Sequence, residues 1–407
     1  MWPSRANPRR SSNKRPRKPV RILIAPDKFK GTLTAQEAAE AIARGWRKSR
    51  PDDVLTLLPI SDGGDGFGRV LGDALPAKPR RITTVDAAHR KCDSTWWCHS
   101  ETRTAVIESA NVIGLAMLPP GKFHPFQLDT FGLGKVIQAA TKRGAKKIIL
   151  GIGGSATNDG GFGLARALGW EFFNARGEHI ELWTQLYTLA EIRRTNVLRL
   201  PKIIVAVDVR NPLFGKRGCT RVFGPQKGLR AEEFLIAERN LRRLAAVVKA
   251  SFGFDFANTP GAGAAGGLGF GLATFARGEL RPGFELLASH TGLLKQLGSC
   301  DLVITGEGAL DASTLMGKGA GQLAAMCRAR KVPVIGLAGV VEDSWMLRRL
   351  FTETHALTQF TTPDVARRQA ARLLGRLACR VALSLKTAIE SATKRHKRHK
   401  AGRRKAM

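Results

Sequence analysis

Two carboxylates and a lysine gather in one short stretch of the last third of the chain. Thr305-Gly-Glu-Gly-Ala-Leu-Asp311, with Gly317-Lys318 just beyond, follows directly on the apolar run of 301–305. Glu307 and Asp311 are therefore expected at the end of a buried strand. One or two carboxylates there, completed by phosphate oxygens and water, are enough to hold Mg2+ during phosphoryl chemistry. The sequence contains neither a Walker A pattern nor the His-Arg-Asp and Asp-Phe-Gly pair, so any such chemistry calls for another scaffold. Near the opposite end, Ala25-Pro-Asp-Lys-Phe-Lys-Gly31 lies between a strand and a helix start. Asp27, Lys30 and the free backbone N–H groups of such a turn suit a phosphate or carboxylate; a plain loop with surface lysines fits equally well.

Three more segments have side chains suited to chemistry. The apolar run 147–152 leads into Gly153-Gly154-Ser155-Ala-Thr157-Asn158-Asp159-Gly-Gly161. Its Gly151-x-Gly153-x-x-Ala156 spacing matches the dinucleotide fingerprint only formally. The hydroxyls, the amide and the acid suit phosphate or polyol binding instead. Asp208 ends the apolar run 203–207 and precedes Asn211-Pro212. A carboxylate so placed reads as a general base, a metal ligand or the cap of an Asx turn. Lys227 sits in the tight Gly224-Pro-Gln-Lys-Gly228, plausible for phosphate. The glycine-dense 259–269 has no reactive side chain, so its role is close backbone approach to a ligand or to another segment.

The elements that must position these residues alternate between strand and helix. Strands are expected at 21–25, 54–60, 301–305, 332–336 and 355–359. Thr34-Ala-Gln-Glu37 forms a capping box that opens a helix to about residue 48, and further helices cover 317–330 and 366–386. This order suits a flavodoxin-like open sheet built from both chain ends. The middle reads as a second α/β domain inserted into the first, with strands at 81–85, 104–108, 147–151 and 203–208. The expected division is a flavodoxin-like domain of 21–76 and 286–390, an inserted domain of 77–285, and disordered basic tails at 1–20 and 391–407. At a flavodoxin-like switch point, Asp27 and Lys30 would face Glu307 and Asp311 across one crevice.

Composition narrows the class. The 407 residues carry 66 Lys and Arg against 33 Asp and Glu, a net charge of +33. Residues 1–20 hold seven cations and 394–407 hold eight, with no acid in either, and the body between stays basic. Two readings of the tails stay open: a nucleic-acid contact by counterion release, or solvated extensions of an unrelated enzyme. The six cysteines form no CxxC pair, as expected of reduced thiols in a cytoplasmic protein. No apolar run approaches the length of a membrane span.

Taken together, these segments resemble the type-1 glycerate kinase family, the bacterial D-glycerate 2-kinases. The resemblance runs from about Arg21 to Ala388. It is carried by Ala25-Pro-Asp-x-Phe-Lys30, Asp62-Gly-Gly-acid-Gly66, the 151–161 segment, Asp208-Val-x-Asn-Pro-Leu213, Gly224-Pro-Gln-Lys-Gly228, Pro260-Gly-Ala-Gly-Ala-Ala-Gly-Gly267 and Val303-Ile-Thr-Gly-Glu-Gly308. Lys28, Asp65-Gly-Phe67 and Ser313 depart from the usual pattern. The resemblance implies a flavodoxin-like domain with a mixed-sheet α/β partner, and transfer of the ATP γ-phosphate to D-glycerate, giving 2-phosphoglycerate. On residue chemistry and motif position, Lys30 and Lys318 take the anionic oxygens, while Glu307 and Asp311 hold Mg2+. Asp208 is the expected base, with Asp159 as second choice. Asp27, Gly153, Gly154, Ser155, Thr157, Asn158, Asn211 and Lys227 are the expected substrate or nucleotide contacts. A kinase of a related hydroxy acid, or a nucleic-acid-associated protein on a kinase fold, are the competing readings.

Overall fold

The computed structural model describes residues 19–195, 198–315 and 319–385. Lys318, the side chain of Ser313 and almost all of both basic tails lie outside them. Among the described residues the strands are β1 (Arg21–Ile24), β2 (Val54–Leu57), β3 (Lys78–Val85), β4 (Lys91–His99), β5 (Thr104–Glu108), β6 (Lys147–Gly151), β7 (Trp170–Asn174), β8 (Leu189–Arg194), β9 (Lys202–Val207), β10 (Glu279–Pro282), β11 (Leu302–Leu310), β12 (Val334–Val341) and β13 (Glu353–Ala356).

Five of them form a sheet in the order β13-β12-β11-β1-β2, every pair parallel. Counted in chain order within that sheet this is 2-1-3-4-5, the flavodoxin-like arrangement, with its switch point between β1 and β11. A second sheet runs β10-β9-β6-β5-β4-β3. It is parallel from β10 to β5 and antiparallel across β5-β4-β3, so it is mixed. It enters between β2 and β11 of the first sheet, and β7 and β8 form a separate antiparallel pair.

Local chemistry explains most of these elements. The Thr34 hydroxyl accepts the Glu37 N–H at 3.2 Å and the Glu37 carboxylate accepts the Thr34 N–H at 2.8 Å, starting the helix Ala35–Ser49. β5 and β9 are apolar almost throughout because neighbours cover both faces. Two expectations need correction. β11 does not stop at Thr305: the glycine-interrupted segment stays paired with β12 as far as Leu310, because ladder hydrogen bonds outweigh the low strand propensity of glycine. The glycine-dense stretch does make the close backbone approach expected of it, since a Cβ on Gly266 would lie 1.9 Å from the Thr157 carbonyl oxygen, and left-handed Ala265, Gly266 and Gly267 lead into helical turns that end at Ala276. β13 ends at Ala356, with a 3-10 turn over Leu357–Gln359.

The two sheets share a core. Leu23 and Val303 of the first sheet belong to one buried cluster with Val106, Ile149 and Ile204 of the second, joined by Phe67, Trp97 and Phe284. Trp97, on β4, packs against the helix Phe67–Ala74. Truncating this ring opens a cavity at the junction of the sheets. Trp97→Ala is expected to lower the unfolding free energy by about 3–5 kcal/mol. A urea titration should show an earlier midpoint with an unchanged slope.

Candidate functional site

The C-terminal ends of the central strands of both sheets meet, and the chemistry-bearing loops leave from those ends. Asp27 follows β1, and its N–H donates to the Gly306 carbonyl of β11 at 2.8 Å. Asp27 and Glu307 are therefore neighbours across the switch point, although 280 residues separate them in sequence. Asp27 is 6% exposed, and its carboxylate accepts the Lys28 N–H at 2.7 Å. Burial first, and then the negative charges of Asp62 and Glu307, push its pKa well above the usual carboxylate range. Gly319 opens the helix Gly319–Ala329 against this group; a Cβ there would lie 2.8 Å from Asp27 Oδ2.

Lys28 is the cation facing this acidic cluster. Its Nζ donates to the Asp65 carbonyl at 3.2 Å and lies 3.6 Å from Asp65 Oδ2. Burial opposes its charge, but Asp65, Asp62, Asp27 and Glu108 together raise its pKa. Glu307 accepts from the Thr314 hydroxyl at 2.9 Å, and the same hydroxyl accepts the Asp311 N–H at 3.2 Å. One threonine thus ties together the backbone around both expected metal ligands. A cleft of about 530 Å³ opens beside the cluster, lined among others by Asp27, Lys28, Lys30, Ser61, Asp65 and Arg69. Lys30 is exposed at this cleft.

Beside the cleft, the second sheet meets the loop after β2 through backbone. The Gly153 N–H donates to the Gly63 carbonyl at 3.1 Å, and a Cβ on Gly153 would come within 2.5 Å of Gly64 Cα. Gly154 lies against the Asp65 carboxylate. Asp208 is exposed two residues after Ala206, whose carbonyl accepts from Ile152 at 3.4 Å and packs on Gly63. Asn211 is held locally: its side-chain amide donates to the Arg217 carbonyl at 2.8 Å, and its main-chain carbonyl accepts the Gly263 N–H at 2.9 Å.

Other expected contacts lie behind the cleft. Asp159 is fully buried and accepts from Thr130 N–H, the Thr130 hydroxyl, Gly161 N–H and Gly163 N–H at 2.7–3.2 Å. Burial and then Asp129 push its pKa up to about 6. It anchors helix starts instead of facing a substrate, which corrects its reading as a second base. Thr157 and Asn158 are also fully buried, and Asn158 donates to Thr220 at 3.1 Å. Among the described residues, Thr157 Oγ1 and Asn158 Oδ1 have no hydrogen-bond partner. Lys227, expected to be available to phosphate, is 6% exposed and donates to the Thr157 carbonyl at 2.6 Å and Ser155 Oγ at 3.1 Å. The loop's polar side chains fold inward because its glycine edge is what meets the first sheet.

Glu108 escaped the reading of single motifs. At the end of β5 it accepts the Gly66 and Gly68 N–H groups at 2.7 and 2.9 Å, capping the helix Phe67–Ala74 from 40 residues away. An acid closing the apolar run 104–107 was its only signal. Asp62 and Asp65 belonged to a recognised motif, but their charge next to Asp27 appears only in three dimensions. Among the described residues, no three His, Cys, Asp or Glu side chains are grouped to hold a metal ion.

Comparison with known proteins places this geometry. The sequence profile of the Glycerate kinase family matches residues 22–386. Glycerate 2-kinase of Escherichia coli K12 is 39% identical over 330 residues, covering 80% of this chain and 86% of that protein. Glycerate kinase of Bacillus subtilis 168 is 39% identical over 326 residues, covering 79% and 85%. A crystal structure described as a glycerate kinase 2 from Salmonella typhimurium LT2 superposes with a TM-score of 0.78 at 34% identity. That match covers 92% of this chain and 100% of the other.

Burial drives the Lys227 ammonium down to about 8, well below its ordinary 10.5, with Cys219 and Asp159 pulling the other way. The unfolded chain holds this proton up to about pH 10.5 and the folded chain releases it from about pH 8. Protonated Lys227 therefore costs stability below pH 8, and the cost disappears as pH rises through that window. Relative to Lys227→Met, the native chain should gain on the order of 3 kcal/mol between pH 8 and 10.5. Paired urea titrations across that range would measure the gain, and a flat difference would contradict it.

Proposed function

We propose that ATP with Mg2+ supplies the phosphoryl group to D-glycerate at the β1–β11 switch point, beside the contact between the two sheets, in this chain, which belongs to the glycerate kinase family and acts as a glycerate 2-kinase yielding 2-phosphoglycerate. The reading rests chiefly on the convergence of Asp27, Lys28, Asp62 and Glu307 at the β1–β11 switch point.

Phosphoryl transfer needs positioning and charge neutralisation more than covalent help from the protein. A magnesium ion fits the acidic cluster, because a cation would relieve the repulsion that burial, Asp62 and Glu307 impose on Asp27. Glu307 and Asp311 would hold it, and phosphate and water would complete its shell. Once bound it would neutralise phosphate charge. Lys28 and Lys30 would take anionic oxygens at the cleft, with Lys318 as a third cation. The backbone of Gly153 and Gly154 would close one wall. Ser155, Thr157, Asn158 and Lys227 would act from behind by holding that wall in place, and Asn211 by bracing the turn after Asp208.

Asp208 would orient and deprotonate the acceptor hydroxyl, since it is exposed at the end of β9 beside the contact between the sheets. We also propose the division into 21–76 with 286–390 and 77–285, in line with sheet membership. A cytoplasmic location fits the six free cysteines, and no helix of the described residues is long and apolar enough to cross a membrane.

Asp208→Asn keeps size and removes the base, so kcat should fall by about 10²–10⁴-fold with the fold intact. A coupled ADP-release assay, with circular dichroism as the folding control, measures it; near-native turnover would remove the assignment. The same assay over a panel of hydroxy acids, with phosphorus NMR of the product, distinguishes glycerate from a related acceptor.

A further inference from the structure

On the first sheet, away from the cleft, the helix Ala35–Ser49 packs against a helix spanning 370–385. Between them and the segment before the second helix lies a groove of about 810 Å³ that shares no lining residue with the cleft. Among the described residues that line it, five are cations and none is an acid: Arg44 and Lys48 on one side, Arg372, Arg376 and Arg380 on the other. The three arginines follow each other at four-residue steps, so they form one exposed stripe along the helix with a rise of roughly 6 Å per step. Arg44 has Glu40 at 3.5 Å, whereas Lys48, Arg372, Arg376 and Arg380 are in no ion pair among the described residues. Phe360 also lines the groove. It is 46% exposed, and the Arg380 guanidinium sits 5.0 Å from its ring centre.

We infer that this groove binds single-stranded nucleic acid. A row of unneutralised guanidinium groups tracks a phosphate backbone by releasing its counterions, while an exposed aromatic ring with an adjacent arginine offers unpaired bases a stacking surface. A duplex hides its base faces and can use only the cations. The charge of the whole chain points the same way. The 370–385 helix leads in sequence to residues 394–407, which add eight cations and no acid. Neither the glycerate kinase reaction nor the cleft uses any of these groups.

The test uses the full chain and a fluorescein-labelled, mixed-sequence single strand of about 20 nucleotides, followed by anisotropy between about 50 and 200 mM salt. Arg372→Gln/Arg376→Gln/Arg380→Gln should weaken binding and flatten the slope of log K against log salt by roughly 2. Its glycerate-dependent ADP release should stay that of the parent chain, which also reports folding. Phe360→Ala should weaken binding by about tenfold without changing the slope, and it keeps the test open should the triple variant fail to fold. Parent-like binding and slope in the triple variant, or parent-like affinity in Phe360→Ala, would overturn the groove as the site. So would stronger binding of the matching duplex, or retention on phosphatidylserine vesicles with no binding of the strand.

Discussion

β1 and β11 lie side by side through a parallel ladder that joins residues about 280 positions apart. Ile22 pairs with Leu302 and Ile24 with Ile304, and the ladder continues past the strand in Ala25 N–H to Ile304 and Asp27 N–H to Gly306, each at 2.8 Å. The Thr305 hydroxyl adds a bond to the Ala25 carbonyl at 2.7 Å, and Arg21 forks onto Asp301 at the other end. Closing so long a loop costs little more than closing one half its size, because the entropy grows only logarithmically with length. The cost is one of rate, because pairings between residues so far apart in sequence form slowly. Without this pairing Asp27 and Glu307 have no reason to meet.

The glycine contact between the sheets then determines how near the second half of the site comes. Gly153 donates to Gly63, and only hydrogen atoms fit between Gly153 and Gly64. A wall made of backbone can present N–H groups to a ligand, while the hydroxyl, amide and acid of the same loop are turned back into the core. There the Ser155 hydroxyl accepts from Lys227, the Asn158 amide donates to Thr220 and the Asp159 carboxylate accepts from Thr130, which stiffens the loop. The polar residues that look most reactive in the sequence therefore act as supports.

Charge is divided between regions. The switch point concentrates Asp27, Asp62, Asp65 and Glu307 in a chain with a large cationic excess, and Lys28 is inserted among them. In such a cationic body the local potential at the switch point stays anionic while the long-range field draws anions inward. The outer face of the first sheet carries the opposite arrangement, a groove whose described lining residues include cations and no acid.

Several features could be read from residues alone. The capping box at Thr34 and Glu37, the apolar runs of β1, β6, β9 and β11, and the flavodoxin-like strand order all depend on local periodicity and chain order, which a sequence displays directly. So does the charge of the tails. The tertiary structure decided what periodicity cannot express. It turned Thr157, Asn158, Asp159 and Lys227 inward, carried β11 through its glycines, made Glu108 the cap of a remote helix and set Lys28 among four acids. The physical reason is that burial, ladder pairing and Coulomb interaction depend on distance in space. For this chain, most of those distances are set by contacts between segments far apart in sequence.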